Sequence, residues 1–281
     1  MCIASIEKAH EYSPDIPIEI LVVIQKANQK KDIQARYPEI TTFYYIDKIG
    51  LSVARNFAIT KSTGNYFVFL DDDASVNEDF IDVLFREIKV HNKINAFCGR
   101  LIDPVKHIPF SPLFCKNKVK KLRRIDFQYF MGSAHVLSGE AIKRIGCYDE
   151  RFGVGCRYYG SEESDIFFRL KAAGEQVIYL PDLIFFHPIP VTPSNYVYKY
   201  GYSFAAMLTK NIIRDKANFI IYFFIILKKI AKAYIRLMQK WFLKGEYVEK
   251  DKKYHYGDLL NGTFNGIGDF IKNELHRRDH P

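Results

Sequence analysis

A chain of 281 residues, 48% hydrophobic and 15% aromatic, can bury a sizeable core as one large α/β domain or one domain with an appendage. Its five cysteines, Cys2, Cys98, Cys115, Cys147 and Cys156, show no pairing and no Cys-x-x-Cys spacing, which argues against a disulfide framework or structural zinc and suits a reducing compartment. The net charge of +9 is concentrated late: from Lys199 onward 16 Lys/Arg face 8 Asp/Glu, so a basic tail points to a local anionic partner such as a membrane surface or nucleic acid.

In chain order, residues 2–9 read as the end of a short helix. Glu7 interrupts the apolar start too early for a signal peptide. Ser13-Pro14-Asp15-Ile16-Pro17 is a turn, and residues 18–24 form a β-branched buried strand. Residues 28–36 are polar, a loop or small helix, and 42–46 a second strand. Gly50 opens a helix over 51–61 that Gly64 stops. Residues 66–70 are almost wholly apolar and read as a strand buried on both faces. A helix follows from about 77 to 91. Strand and helix alternate, so a parallel sheet with crossover helices is expected over this half.

The strand at 66–70 runs straight into Asp71, Asp72 and Asp73. Three adjacent like charges repel, so a fold retains them where something positive sits. A divalent metal carrying a phosphorylated ligand suits the hard oxygens, and the carboxyl ends of strands are where open α/β sheets bind ligands. The alternative is a solvated acidic turn before the next helix.

Further on, 96–102 reads as a strand, 103–124 as a Pro- and Lys-rich excursion, 127–137 as a strand and 138–145 as a helix. Residues 146–160 carry four glycines and read as a long loop over a site. Gly160-Ser161-Glu162-Glu163-Ser164-Asp165 opens a helix over 162–173, with Ser161 a natural N-cap. The carboxylates serve either the helix dipole or general-base chemistry. Glu162 and Asp165 share a face, and Glu163 is turned about 100° from Glu162. A last strand at 177–180 precedes His187, a residue type more often structural than metal-ligating when alone.

Residues 196–213 look helical. Phe219–Leu227 is nine apolar residues, too short for a transmembrane helix, which needs about 20. Lys228, Lys232, Arg236, Lys240 and Lys244 then recur every fourth position, joined by Lys229, and no acid occurs from 216 to 245. Ile230, Tyr234, Leu237, Met238, Trp241 and Phe242 lie between them. That is the pattern of a helix in a membrane interface, with packing on a catalytic domain as the alternative. The cations lie beside long aliphatics rather than in a stacking platform, so nucleic acid is not expected as a partner. Residues 259–268 begin or interrupt a final helix.

Several of these spacings together resemble one known family. Gly50-Leu51-Ser52-Val53-Ala54-Arg55-Asn56, then Gly64, then Leu70-Asp71-Asp72-Asp73 is similar to the donor half of family 2 glycosyltransferases with the GT-A fold. Ile145-Gly146-Cys147-Tyr148-Asp149-Glu150, the Gly153-Val154-Gly155 turn, and the 160–165 motif followed by Arg169-Leu170 resemble its acceptor half. The resemblance implies an α/β fold, a Rossmann-like mixed sheet flanked by helices, over 1–195. A helical region over 196–281 follows, attaching to an anionic membrane surface through 219–244. It implies an inverting transfer from a nucleotide-sugar donor to a hydroxyl of a lipid-linked or growing surface glycan, peripheral on the cytoplasmic face of the cell membrane. Mg²⁺ or Mn²⁺ would be held by Asp73, Asp71 and His187. The donor would meet Arg55, Asn56, Asp71 and Asp72. Glu163 matches the base, where the family more often has Asp, with Glu162 and Asp165 as rivals.

Two departures qualify the resemblance. The chain starts inside the family's first helix, so a fold lacking the first strand is expected. Gln25-Lys26-Ala27-Asn28 also stands where the family has an Asp-x-Ser turn. The rival expectation is therefore a truncated, inactive member acting as a membrane-associated scaffold.

Overall fold

The structure is a computed structural model that describes residues 2–26, 40–189, 194–242 and 255–279. The expected loop at 28–36, residues 243–254 and the side chains of 240–242 lie outside that description. The chain forms two compact units interleaved in sequence. One comprises residues 1–148 and 166–190, the other 149–165 and 191–281.

The first unit opens with helix α1 (Cys2–Tyr12). Strands β1 (Ile20–Gln25) and β2 (Thr41–Ile46) pair in parallel as a two-stranded sheet. Helix α2 (Leu51–Lys61) follows, then β3 (Tyr66–Phe69), β4 (Ser75–Val76), helix α3 (Phe80–Val90) and β5 (Ala96–Ile102). A short β6 (Lys120–Lys121), β7 (His135–Ser138), helix α4 (Gly139–Ile145) and β8 (Val177–Phe186) complete it. The larger sheet runs β3-β7-β5-β8-β4, with β6 on β8. Only β5 and β8 pair in parallel within it; the other ladders are antiparallel.

Four local expectations are corrected here. The sheet is mixed, because β3 and β5 both pair with β7, which runs against them. The stretch 66–70 is not buried on both faces: only Phe69 of β3 is buried, and among the described residues β3 pairs with a strand on one side only. Residues 127–137 are not one strand. A 3₁₀ turn over Arg124–Tyr129 precedes β7, because Asp126 accepts from the Arg123 backbone N–H at 2.9 Å and folds the chain locally. The last strand is longer than four residues. It runs ten, through a register shift opposite Gly99 and Arg100 that accommodates Pro181.

Glu19, directly before β1, joins that strand's start to the segment leading into β3. Its carboxylate accepts from Ser62 Oγ at 2.7 Å and from the N–H groups of Thr63 and Gly64 at 2.7 and 2.9 Å.

The second unit is helical. Helix α5 (Glu162–Ala172) begins in it. Helices α6 (Ser194–Arg214), α7 (Phe219–Phe242) and α8 (Tyr256–Asp279) make up the rest. The glycines at 262 and 266 do not interrupt α8. A Cβ at Gly262 would lie 2.2 Å from the Tyr198 carbonyl oxygen, and one at Gly266 2.2 Å from that of Tyr202. They let α8 approach the α6 backbone, which offsets the roughly 1 kcal/mol each costs in helix propensity. Helix α7 turns Tyr222, Ile226 and Ala233 inward. Phe219, Ile220, Phe223, Phe224, Leu227, Ile235 and Met238 remain exposed, about half or more of each in most cases. Among the described residues no helix is long and apolar enough to cross a membrane.

Candidate active site

The acidic triplet forms the turn between β3 and β4, closed by the Ala74 N–H donating to the Asp71 carbonyl at 3.1 Å. The register of β4 on β8 pairs Ser75 with Phe186. It therefore sets the residue after Phe186 beside the residues before Ser75. That residue is His187. Its Nε2 lies 3.3 Å from Asp73 Oδ1 and 3.7 Å from Asp71 Oδ2. Asp71, Asp73 and His187 each offer a ligand atom, all within 4.8 Å of one another. His187 Nδ1 lies 2.7 Å from the Pro188 carbonyl oxygen, which only accepts, so Nδ1 carries the proton. In the neutral ring Nε2 then presents a lone pair to two carboxylates. Such a set fits a cation. The tail is fixed from behind by Asp103, whose Oδ2 accepts from the Ile189 N–H at 3.1 Å. Hydrogen bonds from the Lys106 and Ile189 backbones hold the Asp103 carboxyl below its usual range.

The negative field of the turn is felt nearby. Burial, with the charges of Asp71, Asp72 and Asp73 adding to it, pushes the Cys2 thiol up to about 11. Asp72 is exposed.

Arg55 is buried. Its Nη2 donates to Asp71 Oδ1 at 3.1 Å and to the Gly132 carbonyl at 2.9 Å. Its guanidinium lies 5.8 Å from the Phe69 ring centre and 5.4 Å from that of Tyr148. Arg55 thus orients Asp71 from within the fold. Asn56 holds the Tyr148 backbone from both ends of its amide, Nδ2 to the carbonyl and Oδ1 from the N–H, each at 2.9 Å. A donor contact by Asn56 would have to break that pair. Beneath them lies His135, wholly buried, with Nδ1 2.8 Å from the Met131 carbonyl and Nε2 2.6 Å from the Tyr148 hydroxyl. Desolvation, then the Arg55 charge, lowers its pKa to about 3, so it stays neutral.

The second acidic motif stands at the start of α5. Glu162 and Asp165 are buried and Glu163 is half-buried, the division that their angular spacing dictates. Ser161 adopts φ +66, with its hydroxyl 3.1 Å from that of Ser203 on α6. Asp165 Oδ1 lies 2.6 Å from the ammonium of Lys210, which also lies 2.8 Å from Asp149 Oδ2. Burial alone would raise the Asp149 carboxyl, but hydrogen bonds from Arg151 and Lys210 hold it far below the usual range. Sequence reasoning missed Lys210. The signal was a single charge in Phe204–Ile213, a run otherwise free of charge and mostly apolar.

Residues 2–139 match the sequence profile described as Glycosyl transferase family 2. Over that segment, just under half of the chain, it is similar to glycosyltransferase family 2. Its mixed α/β architecture is the GT-A fold. By structure it is similar to Staphylococcus aureus TarS 1–349, at TM-score 0.60 and 13% identity over 96% of this chain and 75% of that one. It is likewise similar to the mannosyltransferase PcManGT from Pyrobaculum calidifontis, solved with GDP-Man and Mn²⁺, at TM-score 0.59 and 15% identity over 95% and 84%. By sequence it is 24% identical over 110 residues to an uncharacterised Haemophilus influenzae protein. That match covers 37% of this chain and 58% of the relative's length.

Proposed function

We propose that this chain is an inverting, metal-dependent family 2 glycosyltransferase that moves a sugar from a nucleotide-sugar to a hydroxyl of a lipid-linked or growing surface glycan. The observation that carries the reading is the convergence of Asp71, Asp73 and His187, two carboxylates and a lone-pair imidazole nitrogen, on one point. The likeness to a mannosyltransferase solved with GDP-Man and Mn²⁺ supports the same donor class and ion. Asp73, Asp71 and His187 would hold Mg²⁺ or Mn²⁺. A bound ion supplies neutralisation of the diphosphate as it leaves. Asp72 and Asp71 take the ribose side of the donor, and Arg55 keeps Asp71 aimed. Glu163 accepts the acceptor's hydroxyl proton. The freed oxygen forms its bond to the anomeric carbon as the bond from that carbon to the diphosphate oxygen breaks, inverting the centre and releasing a nucleoside diphosphate.

Attachment to the anionic inner face of the cell membrane belongs to the same reading. The exposed apolar side chains of α7 stand with exposed Lys228 and Lys232 on a helix without acids. Such cations contribute about 1 kcal/mol each at an anionic leaflet. Retention on vesicles containing anionic lipid, absent on neutral vesicles and on DNA, is the expected result.

The deciding experiment is a panel of nucleotide-sugars with Mn²⁺ or Mg²⁺, read by calorimetry and slow donor hydrolysis. One donor should bind only with metal, and Asp73→Ala should abolish that binding while the protein melts as before. Full transfer by D73A would remove the metal-site assignment. Silence across the panel, with vesicle retention intact, would favour the non-catalytic scaffold.

A further inference from the structure

The segment 149–165 carries the acidic motif at its far end and is otherwise irregular, with positive φ at Gly153, Gly155, Tyr159 and Ser161. Such a segment does not set the direction of a side chain by its own secondary structure. Its two ends are joined by one residue. Lys210 of α6, 1% exposed, places its ammonium 2.8 Å from Asp149 at the start of the segment and 2.6 Å from Asp165 at its end. The Phe152 ring centre lies 5.3 Å from the same nitrogen. Asp149 is further held by Arg151, Nε to Oδ1 at 2.9 Å and Nη2 to Oδ2 at 2.7 Å, and Arg151 Nη1 reaches Glu274 of α8 at 2.7 Å.

A buried ammonium is costly unless paired with good geometry, and replacing such a cluster by apolar side chains is often neutral or stabilising. Stability alone is therefore a weak account of it. Geometry gives a better one. Asp165 is two residues from Glu163 on the same helical turn, so fixing Asp165 fixes the rotation of that turn and the direction in which half-buried Glu163 points. Pairing with Lys210 also engages the Asp165 carboxylate, one of the rivals for the base.

We propose that Lys210 is a positioning residue for proton transfer, clamping both ends of segment 149–165 so that Glu163 is presented to the acceptor hydroxyl. The proposal rests on the assignment of Glu163 as the base. A misplacement near 1 Å costs about 10²-fold in rate.

The test uses the full chain. Lys210→Met should lower kcat 10- to 100-fold while the Mn²⁺-dependent donor Kd stays within twofold. Lys210→Arg, which keeps the charge, should recover much of the loss. Limited trypsin digestion should cut K210M faster at exposed Arg157, inside the segment. Unchanged kcat and unchanged cleavage in folded K210M would overturn the proposal. If K210M does not fold, the triple variant Lys210→Met, Asp149→Asn, Asp165→Asn removes the buried charges together. Wild-type kcat in that variant would equally overturn it. If the wild type itself turns over no donor, the base assignment fails separately. Faster cleavage of K210M then still supports the clamp, and unchanged cleavage refutes it.

Discussion

The molecule has two clusters of carboxylates that look alike in sequence and differ physically. Asp71 and Asp73 stand half-exposed and exposed, with one imidazole beside them and one guanidinium behind Asp71. Asp149 and Asp165 are mostly buried and meet a buried ammonium at hydrogen-bond distance. The second cluster brings its own cations, as burial requires. The first has more carboxylates than cations around it, and their charge adds to the burial that raises the Cys2 thiol. Leftover charge at a solvent-reachable strand end suits an ion from outside. Charge neutralised within suits holding a shape. The contrast predicts that substitutions in the first cluster cost activity with little stability, and those in the second cost both.

The largest effect should come from Glu163→Gln, which keeps the shape and removes the basic oxygen. A lost general base lowers kcat by about 10²–10⁴-fold. Metal-dependent donor binding should persist, and single-turnover kinetics beside calorimetry would show the split. Equal loss in Glu162→Gln and none in E163Q would move the role to Glu162.

Next in size is Asp165→Ala. It removes one carboxylate from a buried ammonium, and breaking a buried pair costs about 3–5 kcal/mol, here at the lower end because Asp149 remains. Thermal unfolding should register the loss, whereas Asp73→Ala should leave the melting point almost unchanged. If both variants melted alike, the distinction between the clusters would collapse.

Acid should weaken the support of the first cluster before that of the second. His135 lies under Phe69 and near Arg55, the residue that aims Asp71. Its folded pKa of about 3 lies below the ordinary histidine value of 6.5, so its contribution is fully present above pH 6.5. It is lost as pH falls toward 3, by about 1.4 kcal/mol per pH unit within that window. Asp149, whose carboxyl is depressed, keeps its contribution until the pH drops below the ordinary carboxylate range. Urea unfolding at pH 7, 6 and 5 would show a decline that His135→Phe flattens.

How much of this was legible follows from the range of the interactions. Helix α2 at Leu51–Lys61 and strand β5 at Ala96–Ile102 fall where the sequence puts them, because Gly50, Gly64 and a compact apolar run act locally. The approach of His187 to Asp73 depends on the pairing of Ser75 with Phe186, 111 positions along the chain, which no local pattern encodes. The family resemblance supplied it instead. Residues 259–268 read as the start or an interruption of the final helix because the reason for Gly262 and Gly266, the α6 backbone, is distant in sequence. Lys210 was missed for the same cause, although it is the single charge in residues 204–213. A lysine looks like solvated surface until the two aspartates that neutralise it are placed.

Glu19 offers a third kind of carboxylate and the smallest predicted effect. It is exposed, and its charge is served by two backbone N–H groups and the hydroxyls of Ser62 and Thr63. Desolvation would raise its pKa, and these hydrogen bonds outweigh it and lower the pKa instead. Its contribution is therefore present above the ordinary glutamate range and is lost as pH falls through the lowered folded value. β1 and β3 share no ladder among the described residues, so this staple is a direct hydrogen-bonded tie between the start of one and the approach to the other. Solvent screening keeps the cost of Glu19→Ala near 1 kcal/mol. Glu19→Gln should retain part of that, since its amide oxygen still accepts. Amide hydrogen exchange at Thr63 and Gly64 should quicken in E19A while exchange in β5 stays unchanged. Exchange that quickened equally in β5 would mean that the carboxylate supports the whole sheet, and that hydrogen bonds alone can make an exposed charge as structural as the buried pair at Lys210.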